Sequence, residues 1–260
     1  MYIIPKLSLF FQVTHYRNSA YNSMRKHKGS YMDLNQNVNE NVDTGTLSIH
    51  LTNESNGTPV QGAKISISYT GNPSQTIEEV SADDSGNSEE LTLNAPPLEY
   101  SMEPSEEQPY AEYTIRVQAP GYRDITVSAI NVLPGETAIQ NVRMETEDAP
   151  GDRIDTIVIA AHTLYAEYPP KIPEEEIKPM KESGEIVLSR VVIPEYIVVH
   201  DGVPDDSTAR NYYVRYRDYI KNVASSEIYA TWPESTIYAN VLAIMSFTLN
   251  RVYTEWYRNK

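Results

Sequence analysis

The sequence predicts a multidomain chain. An all-β sandwich spans residues 45–147, a proline- and glutamate-rich linker 148–185, and an incomplete α+β domain 186–260, behind a disordered or mis-started segment at 1–44. Three observations predict this. Apolar and polar residues alternate with period two between Gly45 and Met144, and turn clusters separate the runs. Prolines 150, 169, 170, 173 and 179 then leave no room for long regular elements. Beyond Asp218 the apolar spacing becomes helical.

The 260 residues suffice for one large domain or two small ones, each burying a core without staples. The absence of cysteine excludes a disulfide scaffold, a thiolate metal site and a cysteine nucleophile. A formal net charge of −15 argues against a nucleic-acid partner, which needs clustered Lys and Arg to neutralise phosphates. No stretch reaches the roughly 18 apolar residues of a membrane span. With 20 tyrosines against 3 phenylalanines, the aromatic content sits on rings with a polar tip, suited to half-wet surfaces as well as cores.

The lead segment differs in charge from everything after it. Residues 1–31 carry Lys6, Arg17, Arg25, Lys26 and Lys28 and no acid, whereas residues 32–150 hold 20 acids against 4 bases. The apolar patch from Leu7 to Val13 is short and lacks a small-residue cleavage site, a poor fit to a secretory signal. Either Met32 is the true start and residues 1–31 are upstream sequence read in frame, or they form a disordered basic arm. Residues 33–44 have little to bury and read as a flexible lead-in.

The strand pattern then begins. Leu47, Ile49 and Leu51 alternate with Ser48 and His50; Ile65, Ile67 and Tyr69 follow, then Tyr113, Ile115 and Val117, then Ile125 and Val127, and finally Val142 and Met144. Turns fall at Asn56-Gly57, at residues 83–87, at Pro120-Gly121 and at Pro134-Gly135. About 100 residues of such short strands define a sandwich. Asp83, Asp84, Asn87, Glu89 and Glu90 are either an acidic hairpin turn or a Ca²⁺ ligand set, the turn being the simpler reading. Asn53-Glu-Ser and Asn56-Gly-Thr match the glycosylation pattern, which matters only in a eukaryotic secretory route. In the linker, Glu174-Glu175-Glu176 is a solvated charge run. His162 and His200 stand apart from other ligand-type residues and read as ordinary surface or strand-end histidines. Strand patterning returns at Ile186–Val192 and Tyr196–Val199, with a turn at Asp201-Gly202.

Asp218 is placed to cap a helix beginning at Tyr219. With Ile220 at 0°, Val223, Ala224 and Ile228 fall at about −60°, 40° and 80°, and Glu227 at about −20°, inside the apolar arc. A carboxyl on that face is anomalous. Either burial raises its pKa and fits it to donate a proton, or it pairs with an arginine such as Arg217 or Arg251, or it sits at a frayed helix end. Pro233-Glu234 opens a second helix of about 24 residues, with proline suited to the first turn. Ile237, Val241, Ile244, Met245, Thr248 and Val252 form its apolar face; Ala239, Ala243, Ser246 and Asn250 line the other, where small residues admit another element. Contacts on two sides are expected, so the domain looks cut short.

Two resemblances rest on these residues. The runs Gly45-Thr-Leu-Ser-Ile, Pro59-Val-Gln-Gly-Ala-Lys-Ile-Ser-Ile, Asp84-Ser-Gly and Tyr113-Thr-Ile-Arg-Val-Gln-Ala-Pro-Gly-Tyr resemble the carboxypeptidase-regulatory-like sandwich, similar in architecture to transthyretin. That family implies a structural or adhesive module with no catalytic residues. Residues 217–234 (Arg217-Asp-Tyr-Ile-Lys-Asn-Val-Ala-Ser-Ser-Glu-Ile-Tyr-Ala-Thr-Trp-Pro-Glu) with Ala239-Asn-Val-Leu-Ala-Ile-Met-Ser-Phe-Thr-Leu resemble the opening of the stage II sporulation protein D (SpoIID) domain. From Val191 to Trp256 the chain is closer still to the SleC-type spore cortex-lytic family.

The second resemblance implies a peptidoglycan lytic transglycosylase of the spore cortex or cell wall, working without a cofactor or metal on glycan strands. The family's catalytic Glu falls on Glu227, as general acid to the bond between N-acetylmuramic acid and N-acetylglucosamine and then as base in closing a 1,6-anhydro ring. Tyr229, Trp232 and Tyr238 are the candidate sugar-stacking residues, with core packing as the other reading of each. The chain departs from the family where Ile228-Tyr229 replaces methionine-proline and where Ser246 stands near a common arginine. The family domain is longer, so the full-length protein is the expected enzyme and these residues a fragment of it. Two other readings remain: a non-catalytic wall- or spore-surface protein acting through the sandwich, or a sandwich prosegment released by a processing protease in the linker.

Overall fold

The computed structural model describes residues 3–5, 42–104, 107–151, 155–162, 164, 192–202 and 207–253. The chain divides into two compact units, Gln12–Tyr165 and, together, Met1–Phe11 with Ala166–Lys260. In order, the elements are β1 (Ile3–Pro5), β2 (Asp43–Asn53), β3 (Lys64–Tyr69), β4 (Thr76–Ser81), β5 (Leu91–Ala95), α1 (Glu99–Met102), β6 (Ala111–Gln118), β7 (Ile125–Val132), β8 (Thr137–Met144), β9 (Thr156–Val158), β10 (Tyr196–His200), β11 (Asn211–Arg215), α2 (Tyr216–Glu227) and α3 (Glu234–Tyr253).

The first unit is a β-sandwich. One sheet runs β5-β2-β8 and the other β4-β3-β6-β7-β9. Their inward residues form one core: Leu47, Ile49 and Leu51 of β2, Ile65 and Ile67 of β3, Tyr113, Ile115 and Val117 of β6, and Val142 and Met144 of β8 are all buried together. These are the residues whose alternation predicts the strands. Alternation works here because successive side chains point to opposite sheet faces and the apolar ones all point into the shared core, although Ser68, Glu112 and Thr114 on the other face are buried as well.

β7 breaks the rule midway. Ala129 lies at φ +63°, the register against β6 shifts between Tyr113 and Ile115, and the buried set passes from Ile125, Val127 and Ala129 to Ile130 and Val132. This is a bulge. The Ala129 amide donates to Thr70 Oγ1 at 3.2 Å. Thr70 and Thr114 hydroxyls pair at 3.0 Å, as do Thr114 and Ser128.

The sandwich extends past the predicted boundary at 147. β9 pairs in parallel with β7, and Ile159 joins the core at 7 % exposure. The apolar run Ile157-Val158-Ile159 has an open sheet edge to cover, and that outweighs the surrounding prolines. His162, read as a surface or strand-end histidine, is buried beyond the end of β9; its amide donates to the Tyr110 hydroxyl at 3.0 Å.

In the second unit the sheet runs β1-β10-β11, with β1 parallel to β10 and β11 antiparallel to it. A segment expected to carry no element thus supplies a strand at Ile3–Pro5, while β2 begins at Asp43, two residues before the predicted boundary. Met32, the Leu7–Val13 patch, Glu174–Glu176 and most of the strand predicted at Ile186–Val192 lie outside the described residues. Ile197, Val199, Tyr216, Tyr219, Ile220, Val223 and Val252 form the second core, with Val241, Ile244, Met245 and Leu249 packed on it. No helix among the described residues is long and apolar enough to cross a membrane.

Candidate functional site

The site predicted around Glu227 is built from α2, the turn after it, and α3. α2 starts at Tyr216, three residues earlier than predicted; Asp218 stands in its first turn, beside the positive end of the helix dipole, and makes no side-chain cap. Ile220, Val223 and Ile228 are buried, as their phase requires, and Glu227 is half-buried as the last helical residue. Ile228 leaves the helix in extended conformation, its amide still bonded to the Ala224 carbonyl at 3.1 Å. The carboxyl is therefore carried by the closing turn of a helix whose inner face is fixed by packing.

Four and eight residues are one and two helical turns, so Tyr219, Val223 and Glu227 share one stripe of α2. Tyr219 is buried, and its phenol pKa is pushed up to about 12. Burial is the main cause; a hydrogen bond from Thr248 opposes it, the charge of Glu227 raises it further and that of Arg251 lowers it. The hydroxyl thus feels a carboxyl from its own helix and a guanidinium from α3. Thr248 and Arg251 are 2 % and 4 % exposed, three residues apart on α3, and Arg251 Cζ lies 4.0 Å from the Phe247 ring centre. Of the two arginines considered for Glu227, Arg251 is the one acting on the same hydroxyl; Arg217 is exposed and lies 3.6 Å from Asp218.

The three aromatic candidates separate. Tyr229 is 1 % exposed and meets Trp232 edge-on, ring centres 5.9 Å apart at 87°. Of the two readings of Tyr229, this burial favours core packing over sugar stacking. Trp232 is half-buried. Tyr238 is 60 % exposed on α3, where its hydroxyl donates to Glu234 Oε1 one turn earlier. Trp232 and Tyr238 are the rings with a face to offer. The second side of α3, expected to be covered, is exposed at Ala239, Ala243, Ser246 and Asn250. Sequence reasoning missed Tyr219 as part of the site and placed Thr248 only on an apolar face. The signal was present in the eight-residue spacing from Tyr219 to Glu227.

In the sandwich the acidic loop is a turn. Asp83 Oδ1 accepts from the amides of Ser85 and Asn87, both at 2.8 Å, and the Asn87 side chain is engaged by His50. Among the described residues no group of three or more His, Asp or Glu is gathered as a metal site. Asn53 is buried, accepting from Ser55 and donating to the Tyr122 hydroxyl at 3.2 Å, while Asn56 holds an exposed turn through Thr58. Both glycosylation-type triplets are thus Asx turns. His200 is a strand-end histidine, buried rather than on the surface, with Nδ1 2.8 Å from Asn211 Oδ1.

Compared with known protein families and with curated proteins, the chain matches none. Among solved structures it is similar over part of its length to the Bacillus anthracis TIE protein, at 23 % identity over 40 % of this chain and 17 % of that one, with a TM-score of 0.28. It is likewise similar to GBS52, the minor pilin of Streptococcus agalactiae, at 10 % identity over 43 % of this chain and 48 % of that one (TM-score 0.28). Klebsiella pneumoniae 5-hydroxyisourate hydrolase matches at 19 % identity over 38 % of this chain and 89 % of that one (TM-score 0.25). The chain spans less than half the length of the first two proteins.

Proposed function

We propose that the second unit belongs to a peptidoglycan lytic transglycosylase of the SpoIID and SleC type, acting on the glycan strands of the spore cortex or cell wall, and that the sandwich is a carboxypeptidase-regulatory-like module of the same chain. The observation that carries this reading is the Glu227 carboxyl, half-buried at the end of a packed helix, one turn beyond the buried Tyr219–Val223 stripe. A carboxyl so placed is positioned to deliver a proton to a glycosidic oxygen. In the first step Glu227 protonates that oxygen as the bond to the muramoyl anomeric carbon breaks. In the second, the resulting carboxylate takes the proton of the muramoyl 6-hydroxyl as its oxygen closes on the same carbon. Water takes no part, so one carboxyl serves where hydrolysing glycosidases use two. Trp232 and Tyr238 are the rings that would stack on the sugars.

The test is release of 1,6-anhydro-muramoyl fragments from purified peptidoglycan by the full-length gene product, read by mass spectrometry. Glu227→Gln keeps the shape and removes the proton carrier, and it is expected to abolish release. Undiminished release overturns the assignment. Tight binding to peptidoglycan with no new chain ends from the unaltered protein supports the non-catalytic binding reading instead.

A further inference from the structure

The outer face of β2 carries a row of polar side chains that the transglycosylase reading does not use. Ser48 and His50 alternate with the buried Leu47, Ile49 and Leu51, so both stand on the solvent side of the sheet, each half-buried. Ser48 Oγ lies 3.4 Å from His50 Nε2, and His50 Nδ1 lies 2.6 Å from Asn87 Oδ1. An amide oxygen only accepts, so Nδ1 carries the hydrogen, and in that tautomer Nε2 turns its lone pair toward the serine hydroxyl. A hydroxyl, a base and a third group orienting that base are thus in line, the arrangement that activates a serine. Distances somewhat long for a hydrogen bond are usual at such sites before substrate binds.

Asn87 is itself held firmly. The loop that carries it is pinned to β2 by the Leu51 amide on the Gly86 carbonyl at 2.7 Å and the Ser88 amide on the Ile49 carbonyl at 2.9 Å. Asp83 Oδ1 takes the Asn87 amide. Gly86 at φ +76° approaches so closely that a Cβ there would lie 2.4 Å from the Leu51 carbonyl oxygen. Further along the row the Thr46 and Thr137 hydroxyls meet at 2.7 Å, with Glu90 Oε1 at 3.4 Å from the first and 3.3 Å from the second.

We propose that Ser48, His50 and Asn87 form an acyl-transfer site on the sandwich, taking uncharged esters as acyl donors. Ser48 Oγ attacks the ester carbon while its proton passes to His50 Nε2; the carbon–oxygen bond to the alcohol then breaks and the same proton leaves with the alcohol. Water, deprotonated at Nε2, releases the acid and returns a proton to Ser48. Asn87 positions the ring and touches no reacting atom. The acid at Glu90 disfavours anionic donors, which is why the class is uncharged.

The experiment treats the full chain with a fluorophosphonate probe and with p-nitrophenyl acetate. Expected are a probe adduct located on Ser48 by peptide mass spectrometry, and ester hydrolysis that falls about 100-fold in Ser48→Ala and in His50→Gln. Asn87→Ala should fall less and recover in part with Asn87→Asp, which restores an acceptor for Nδ1–H. All four changes lie on the solvent side, and unaltered thermal unfolding would confirm intact folding. No adduct, an adduct elsewhere, or a rate indifferent to Ser48→Ala overturns the proposal. Ester hydrolysis and release of anhydro-muramoyl fragments are read as different products, so failure of one proposal is distinguishable from failure of the other.

Discussion

Gly86 and Gly57 both adopt φ near +70°, at +76° and +70°, and differ only in what surrounds them. A side chain at Gly57 meets nothing within 4 Å, whereas one at Gly86 meets the Leu51 carbonyl oxygen at 2.4 Å. Gly57→Ala should therefore cost only the left-handed strain, about 1 kcal/mol. Gly86→Ala adds a backbone clash that only movement of the loop relieves, and should cost about 3 kcal/mol or more. Urea unfolding of the two variants, compared at equal slope, reads the difference; equal midpoints would show that the loop yields freely. Other residue-scale features were legible only in part. Glu227 announced itself because a carboxyl in an apolar helical arc violates a pattern. Ser48 and His50 did not, because polar residues on the wet face of a strand obey it, and their juxtaposition with Asn87 depends on a loop 37 residues away.

At the scale of elements, the legible strands are those with a dry face and a wet one. β2 buries Leu47, Ile49 and Leu51 and leaves Ser48 and His50 half-buried, so its alternation is clean, whereas β6 alternates in residue type although Glu112 and Thr114 are buried along with Tyr113, Ile115 and Val117. β4 buries only Val80 and otherwise shows Glu78, Glu79 and their neighbours to solvent, so as an edge strand it has no period to read. β9 exists because β7 offers an edge, and β11 alternates half-buried and exposed residues with no fully dry position. The exit from β8 has its own fastening. Arg123 pairs with Glu145 at 2.8 Å, donates to the Glu147 and Ala149 carbonyls, and its amide reaches the Glu145 carbonyl at 2.9 Å. The Arg123 side chain is only 15 % exposed. Arg123→Met should destabilise the sandwich by about 2 kcal/mol in chemical denaturation, and Arg123→Lys should recover little, since an ammonium lacks the planar fork that serves three acceptors. Full recovery by lysine would reduce the fastening to its charge.

The distribution of tyrosines sets the response of the whole molecule to alkali. Each unit holds a buried tyrosine whose phenol is pushed above its ordinary value of about 10. Burial first, and the neighbouring Tyr69 ring 5.0 Å away second, push the Tyr113 phenol far above its usual range, and its hydroxyl donates to the Asn94 carbonyl at 2.7 Å. In the other unit Tyr219 is pushed up to about 12. A phenol whose folded pKa exceeds its unfolded one binds its proton more tightly when folded. Its contribution to stability is complete below about pH 10 and is lost as the pH climbs through 12, because the unfolded chain releases the proton first. For Tyr219 the loss is on the order of 3 kcal/mol over that window. The net charge of −15 grows as the exposed phenols ionise, and its self-repulsion acts in the same direction. A titration followed at 295 nm and by circular dichroism should show a phenolate step above pH 11 that coincides with unfolding. Tyr219→Phe should remove the second unit's share of that loss and leave the sandwich's. A single step near pH 10 with no change in dichroism would mean that neither phenol is shielded from water, and the packing of both cores would have to be redrawn.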